Sequence, residues 1–330
     1  MQRTHPKGEP RRRYGAAAWL MAAALVFLCL SGCSGKVYDP GGGTLTLAPA
    51  ASSTDAETGI RDLFADSELT LRGEFLNTGK SDAILFLVGE EVILVDTGDE
   101  DDFDTIRGQL ATRGITAIDH LILTHFDNDH IGSAAQILQN FRVDRVYMPD
   151  YVRDSARYRR LMAALEASTH TEACRVTEEM VIELSGGEMR IQPTALYESG
   201  LILGDDDSHP YEENDLSLIT EISFGQVNFL LMGDAEQARI EEFLAGKGET
   251  LSYDLIKIPH HGGYDKAVKA LLNRCEGLAY CVVHVAEATD VERKLISAMK
   301  DSGAEIFYTY DGCGTIVSDG ERMAFIQRGE

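Results

Sequence analysis

Apolar runs that stop abruptly at ligand-type polar residues organise this chain. Leu121-Ile122-Leu123 runs into Thr124-His125-Phe126-Asp127-Asn128-Asp129-His130-Ile131-Gly132. Leu230-Leu231-Met232 ends at Gly233-Asp234, and Leu255-Ile256-Lys257-Ile258 ends at Pro259-His260-His261-Gly262-Gly263. Short apolar runs bounded by turn residues predict buried strands. A loop just past a strand lets several side chains converge on one point, whereas alternation within a strand sends them to opposite faces.

The rest of the pattern predicts mixed strands and helices. Ala83 to Val88 and Val92 to Asp96 predict a hairpin about Gly89-Glu90-Glu91. Asp102 to Thr112 predicts a helix with acids in its first turn. A strand at 120–124, a helix from Ser133 to Phe141, a strand from Val143 to Met148 and a helix from Val152 to Ala167 follow. Strands are expected between Cys174 and Ile191, then a long loop over 197–213. Strands at 216–224 and 227–232, a helix from Ala235 to Ala245, a strand at 254–258 and a helix at 266–273 come next. A strand at 279–284, a helix at 290–301 and a closing hairpin complete the chain. Two similar halves of this kind suit an α/β fold, a four-layer αββα sandwich with the site where strand ends meet.

The N-terminal region has a different character. Arg3, Lys7, Arg11, Arg12 and Arg13 precede an apolar run from Ala16 to Leu30, short for a membrane span. It leads into Leu30-Ser31-Gly32-Cys33, which resembles a bacterial lipobox. Residues 1–32 are therefore expected to be a lipoprotein signal peptide, with Cys33 left as a lipid-bearing N-terminus. That predicts an extracytoplasmic lipoprotein anchored to a membrane. Residues 33–68, rich in Gly, Ser, Ala and Thr, are expected to form a flexible tether reaching ~30 Å. Residues 69–330 remain as one domain large enough for a sizeable core.

Charge narrows the choice of partner. The chain carries a formal −24, and residues 1–32 contribute +4 of basic excess, so the remainder stands at −28. A nucleic-acid binder normally shows a basic footprint. The one basic stretch is Arg142, Arg145, Arg153, Arg157, Arg159 and Arg160, interleaved with Tyr147, Tyr151 and Tyr158. It reads as the solvated face of a helix, with a polyanion groove as the alternative. With Cys29 removed and Cys33 lipidated, Cys174, Cys275, Cys281 and Cys313 remain, and none has metal-type C-x-x-C spacing. An exported chain could oxidise them, and buried free thiols are the equal alternative.

Histidine and aspartate together suit Zn or Mn. The three runs do not stand alone. Gly79-Lys80-Ser81-Asp82-Ala83-Ile84-Leu85, Val95-Asp96-Thr97-Gly98-Asp99, Asn214-Asp215-Leu216-Ser217-Leu218, and Gly303 to Gly320 with Thr309, Asp311, Gly312 and Gly314 accompany them. In this order the segments resemble the metallo-β-lactamase superfamily over about residues 69 to 328. Asp127 stands where the usual signature has a histidine. That aspartate, with the later Gly-Asp and His-His-Gly, is similar to the hydrolase-like domain of the ComEC DNA-uptake proteins.

The resemblance implies two divalent metal ions, Zn or Mn. His125 and Asp127 are assigned to the first, Asp129 and His130 to the second, with Asp234 as the bridge. One or both of His260 and His261 would complete the second site, His260 being favoured. Asp129 could also orient or deprotonate a water activated by the metals, and Lys257 could offer positive charge to a developing oxyanion; its alternative is a solvent-facing residue. Asp96 and Asp99 are expected to orient ligands. Many relatives carry a further histidine before the Gly-Asp strand; here only His170 and His209 are available, in poor contexts. Gly263 stands where relatives usually have serine. His120 and His284 are expected to be structural. The resemblance implies hydrolysis of a phosphoester, chiefly a phosphodiester, of which DNA is one weakly supported form. A cell-wall or lipid phosphoesterase is an alternative that fits the acidic surface better. A non-catalytic metal-binding surface lipoprotein is the other. β-Lactam hydrolysis is disfavoured by Asp127.

Overall fold

The structure is a computed structural model that describes residues 35–39, 43–46, 58, 59, 62, 64–196, 200–204 and 212–327. The expected signal peptide, Cys33 and His209 lie outside the described residues. Among the described residues no helix is long and apolar enough to cross a membrane.

In the first half the strands are β1 (Gly35–Asp39), β2 (Gly43–Thr46), β3 (Leu71–Phe75), β4 (Ile84–Val88), β5 (Glu91–Val95), β6 (Ala117–Ile122), β7 (Arg142–Pro149), β8 (Val152–Arg153) and β9 (Glu172–Val176). The second half adds β10 (Met180–Leu184), β11 (Gly187–Gln192), β12 (Ile202–Leu203), β13 (Ile219–Phe224) and β14 (Val227–Leu231). It closes with β15 (Leu255–Lys257), β16 (Tyr280–Val283), β17 (Glu305–Tyr308), β18 (Gly314–Ser318) and β19 (Met323–Gln327). The larger sheet has the order β2-β1-β19-β18-β3-β4-β5-β6-β7-β9, and the smaller β10-β11-β13-β14-β15-β16-β17.

Alternation along the strands explains why the sheets stack. On β4, Ile84, Phe86 and Val88 turn inward to meet Phe229, Leu231 and Val282 of the smaller sheet. Leu85 points the other way, joining Leu94, Leu121 and Val146 against Ile106, Ile137 and Leu161 of the helices Phe103–Thr112, Ala134–Asn140 and Ala156–Ala167. The smaller sheet does the same. Leu230, Ile256 and Cys281 pack against Ile240, Leu271 and Leu295 of the helices Gln237–Ala245, Lys266–Arg274 and Arg293–Asp301. Each fully buried Val, Leu, Ile or Phe side chain contributes about 1.5–3 kcal/mol relative to exposure. The result is the expected αββα sandwich.

Two expectations change. The segment read as a tether contains β1, which pairs antiparallel with β19, and β2, which pairs with β1. Composition concealed this because Lys36-Val37-Tyr38 and Thr44-Leu45-Thr46 alternate among small residues. The helix expected from Val152 starts at Ala156. Ser155 caps it, accepting from Tyr158 N at 3.1 Å, and frees Val152-Arg153 to pair in parallel with Ile202-Leu203.

Sheet direction places the chemistry. β5, β6 and β7 are parallel, as are β14, β15 and β16. The segments that follow β5, β6, β14, β15 and β16 therefore leave their sheets at matching edges. Those segments carry Asp96, the His125–His130 loop, Asp234, the His260-His261 pair and His284.

Candidate metal centre

The loop after β6 turns into a single helical turn, Asn128–Ile131. It presses against the turn after β5. Gly132 N donates to Gly98 O at 2.8 Å, and Thr97 N to His130 O at 2.7 Å. Only glycine fits at 132, because a Cβ there would lie 2.4 Å from Asp99 backbone atoms. Asp96, in the left-handed region at φ 58°, turns its carboxylate under the loop. It accepts from Thr124 N at 2.8 Å, Thr124 Oγ1 at 2.7 Å and His130 Nδ1 at 2.8 Å. A carboxylate on Nδ1 fixes the imidazole so that Nε2 faces the cluster.

Asp234 sits at the centre. Its Oδ2 lies 3.2 Å from His130 Nε2 and 3.0 Å from His261 Nε2. His261 Nε2 is also 3.3 Å from Asp129 Oδ2, and His125 Nε2 is 3.6 Å from Asp127 Oδ2. Two ligand groups overlap, His125/His130/Asp234 and Asp129/His130/His261, each with its ligand atoms within 4.8 Å of one another. The Nε2 atoms of His125, His130 and His261 are buried and make no well-directed hydrogen bond, although the last two lie against Asp234 Oδ2. Buried polar atoms are nearly always paired, so three nitrogens of this kind aimed at one space fit divalent cations.

The electrostatics agree. Burial opposes charge on His261, yet Asp234 and Asp129 raise it to about 9. His130 is likewise raised well above the ordinary value, against burial, by Asp234 and Asp96. Burial works against ionisation of Asp234, but His130, His261 and Lys257 hold its carboxyl well below the usual range. Asp127 and Asp129 are also lowered against burial, by His125 and by His261 respectively. The carboxylates gathered here favour positive charge at the centre of the site.

The paired histidines separate. His261, not the favoured His260, enters the cluster. His260 is part-exposed, with Nδ1 2.9 Å from Glu236 Oε1 and Nε2 3.4 Å from Asn214 Nδ2. Left-handed backbone at both residues, φ 46° and 49°, swings the two rings apart. Among the described residues these two and Asp96 are the non-glycine positions with positive φ, and all three lie at the site. Strain of this kind collects where surrounding structure enforces it.

Lys257 also departs from expectation. It is neither solvent-facing nor free to reach an oxyanion. Its side chain is fully buried, with Nζ donating to Gly233 O at 2.9 Å, lying 3.4 Å from Asp234 Oδ1 and pairing with Asp82 Oδ2. Asp99 does not touch a ligand; it caps the turn Glu100–Asp102 and pairs with Arg157 at 3.0 Å. His284 is fully buried, its Nδ1 3.5 Å from Asp82 Oδ1, and burial pushes it down to about 4. His120 is buried beside Tyr147 OH at 3.2 Å, and His170 is exposed.

Sequence reasoning missed two acids. Asp82, buried just before β4, has its backbone N–H bonded to Asp129 O at 3.1 Å. An acid abutting an apolar strand was the available signal. Glu213 accepts from Tyr151 OH at 2.7 Å and pairs with Arg153 at 2.8 Å, while Tyr151 OH accepts from Phe126 N at 3.0 Å. Burial and the Asp127 charge push Glu213 up to about 7. Asp127 and Asp129, 40% and 31% exposed at the side chain, mark the open face of the site.

The basic stretch is paired off. Arg142 meets Asp144 at 2.7 Å, Arg145 Glu172 at 2.9 Å and Arg160 Glu100 at 2.8 Å, while Arg159 pairs with Asp154. Arg153 and Arg157 are also engaged, with Glu213 and Asp99. Tyr147, Tyr151 and Tyr158 are buried. Cys275 and Cys281 are buried free thiols.

Residues 76–276 match the model of the metallo-beta-lactamase superfamily. The chain belongs to that superfamily. Its members are generally metal-dependent hydrolases. A further relative is ComE operon protein 3 of Bacillus subtilis (strain 168), 28% identical over 154 residues. That match covers 46% of this chain and 18% of the relative's own length. Among solved structures, the metallo-beta-lactamase fold protein YhfI from Bacillus subtilis is similar at TM-score 0.47 and 14% identity, over 73% of this chain and 96% of that one. A diphosphatase from the PhnP family is similar at TM-score 0.39 and 16% identity, over 74% and 87%.

Proposed function

We propose that this superfamily member is an exported, lipid-anchored hydrolase of a phosphodiester, working with two divalent ions, Zn or Mn. The observation that carries the reading is the pair of overlapping ligand groups sharing His130, with three buried Nε2 atoms turned toward them. His125, His130 and Asp234 would hold one ion, with Asp127 on its open side. Asp129, His130 or Asp234, and His261 would hold the other. Such ions supply an activated water and neutralise phosphate charge.

The protein's own groups do the rest. Asp96 holds His130 in the required tautomer. Asp129, ionised and part-exposed, can orient a water at the open face; its lowered proton affinity suits a ligand and orienting group better than a strong base. Hydrolysis adds the water oxygen to phosphorus, breaks one ester P–O bond and sends the proton to the departing alcohol.

A cell-wall or lipid phosphodiester suits the chain better than DNA. The formal charge is −24, and the arginines of the basic stretch are each held by a carboxylate or, for Arg153, by Glu213 beside the site. The test is hydrolysis of a bis-aryl phosphate by purified protein, stripped of metal and then given Mn or Zn. Turnover should need metal, Mn should serve at least as well as Zn because Asp127 makes the first site oxygen-rich, and Asp129→Ala should lower kcat by orders of magnitude with the circular dichroism unchanged. Stoichiometric metal without turnover on any phosphoester would leave a metal-binding surface lipoprotein instead.

A further inference from the structure

Asp234 divides its two oxygens between different cations. Oδ2 faces His130 Nε2 and His261 Nε2, while Oδ1 lies 3.4 Å from the Lys257 ammonium. On its other side the ammonium pairs with Asp82 Oδ2. Asp82 is itself 3.7 Å from His261 Nδ1 through Oδ1. Asp82, Asp234 and His261 form a group whose geometry could itself hold a metal ion. Lys257 places its charge against two of those three residues.

We propose that the Lys257 ammonium is a built-in cation that sets how tightly the neighbouring divalent ions are held, with Asp82 as its counter-ion. The proposal rests on the metal reading above. Its chemistry is direct. A lysine with no exposure is little screened by salt, so its charge bears on Asp234 from a fixed position. Charge drawn toward Nζ from Oδ1 is charge that Oδ2 does not give to a metal. Asp82 answers this by holding the ammonium from the far side. Asp82 is fixed there by the metal loop and its supporting turn: its N–H donates to Asp129 O at 3.1 Å, and its carbonyl accepts from Gly98 N at 2.8 Å. Asp82, Asp96, Asp127, Asp129 and Asp234 together bring five negative charges, which two divalent ions and one ammonium would balance. Lys257 is thus a positioning residue, acting on the metals through Asp234.

A charge role and a packing role predict opposite patterns. Mn²⁺ is titrated calorimetrically into the metal-stripped full chain and into Lys257→Met, Asp82→Asn and the double variant. Lys257→Met should bind Mn²⁺ about tenfold tighter or more, and Asp82→Asn about tenfold weaker, from one unit of buried charge. The double variant should return close to wild type. Both single variants weakening, or no recovery in the double variant, overturns the proposal, because a packing role damages the site in either case. If Lys257→Met does not fold, unchanged Mn²⁺ affinity in folded Asp82→Asn overturns it, and weakened affinity with wild-type affinity in Lys257→Arg supports it. A wild-type chain that binds no Mn²⁺ or Zn²⁺ would instead remove the metal reading itself.

Discussion

Asp96 accepts a hydrogen bond from His130 Nδ1 at 2.8 Å, so the orientation of the most shared ligand is set from the turn after β5. Asp96→Asn keeps the shape and removes the charged acceptor. It should lower divalent-ion affinity about 10–100-fold, the usual effect of losing such a partner. Titration with Mn²⁺ checks it, and unchanged affinity would show that the charge on Asp96 is not needed to orient His130.

The two adjacent histidines give a sharper contrast. His261→Ala should lose metal by elemental analysis, since its Nε2 faces Asp234 and Asp129. His260→Ala should keep full content, because its ring is engaged with Glu236 and Asn214. The reverse pattern would exchange their roles.

Two glycines should respond oppositely to alanine. Gly132→Ala drives a Cβ to 2.4 Å from Asp99 backbone atoms and should cost about 1–3 kcal/mol by overpacking, with weaker metal binding. Gly108 lies exposed in the helix Phe103–Thr112 with nothing within 4 Å of a new Cβ. Gly108→Ala should stabilise by about 0.5–1 kcal/mol. Urea denaturation measures both.

His120 gives a pH dependence away from the metals. Burial holds its pKa below 6.5, so the unfolded chain binds that proton more readily than the folded one. Its contribution is therefore lost as pH falls below 6.5, each unit of separation being worth about 1.4 kcal/mol. His120→Gln should show a shallower loss of stability between pH 7.5 and 5 than wild type. Parallel curves would count against it.

The proposed membrane anchor is tested by mass spectrometry of the native host's membrane fraction, which should show a diacylated or triacylated Cys33. β1, the neighbour of edge strand β2, starts at Gly35, so such a lipid would hold that side of the larger sheet near the bilayer surface. Unmodified protein released with another N-terminus would defeat this prediction.

The metal loop was legible because apolar runs feed directly into ligand-type residues, and strand order then fixes where those ends meet. The choice between His260 and His261 was not. Two identical neighbours differ only through left-handed backbone that no side-chain pattern encodes. Asp82 escaped because it precedes its strand, and only the fold brings that end beside Lys257. The arginines looked available because their acids lie elsewhere in the chain, Glu172 for Arg145 and Glu100 for Arg160. β1 and β2 hid in small-residue composition; β1 is held by pairing with β19 at the far end of the sequence, and β2 by pairing with β1.

The ligand groups draw on both halves of the sandwich. His125, Asp129 and His130 follow β6 of one sheet, while Asp234 and His261 follow β14 and β15 of the other. The two groups that take in Asp234 or His261 beside His130 each need residues from both sheets. A fragment ending before β10 would keep the Asp82/Asp96/His130 group but lose Asp234 and His261. Occupancy of the full centre would thus report that the two sheets have come together.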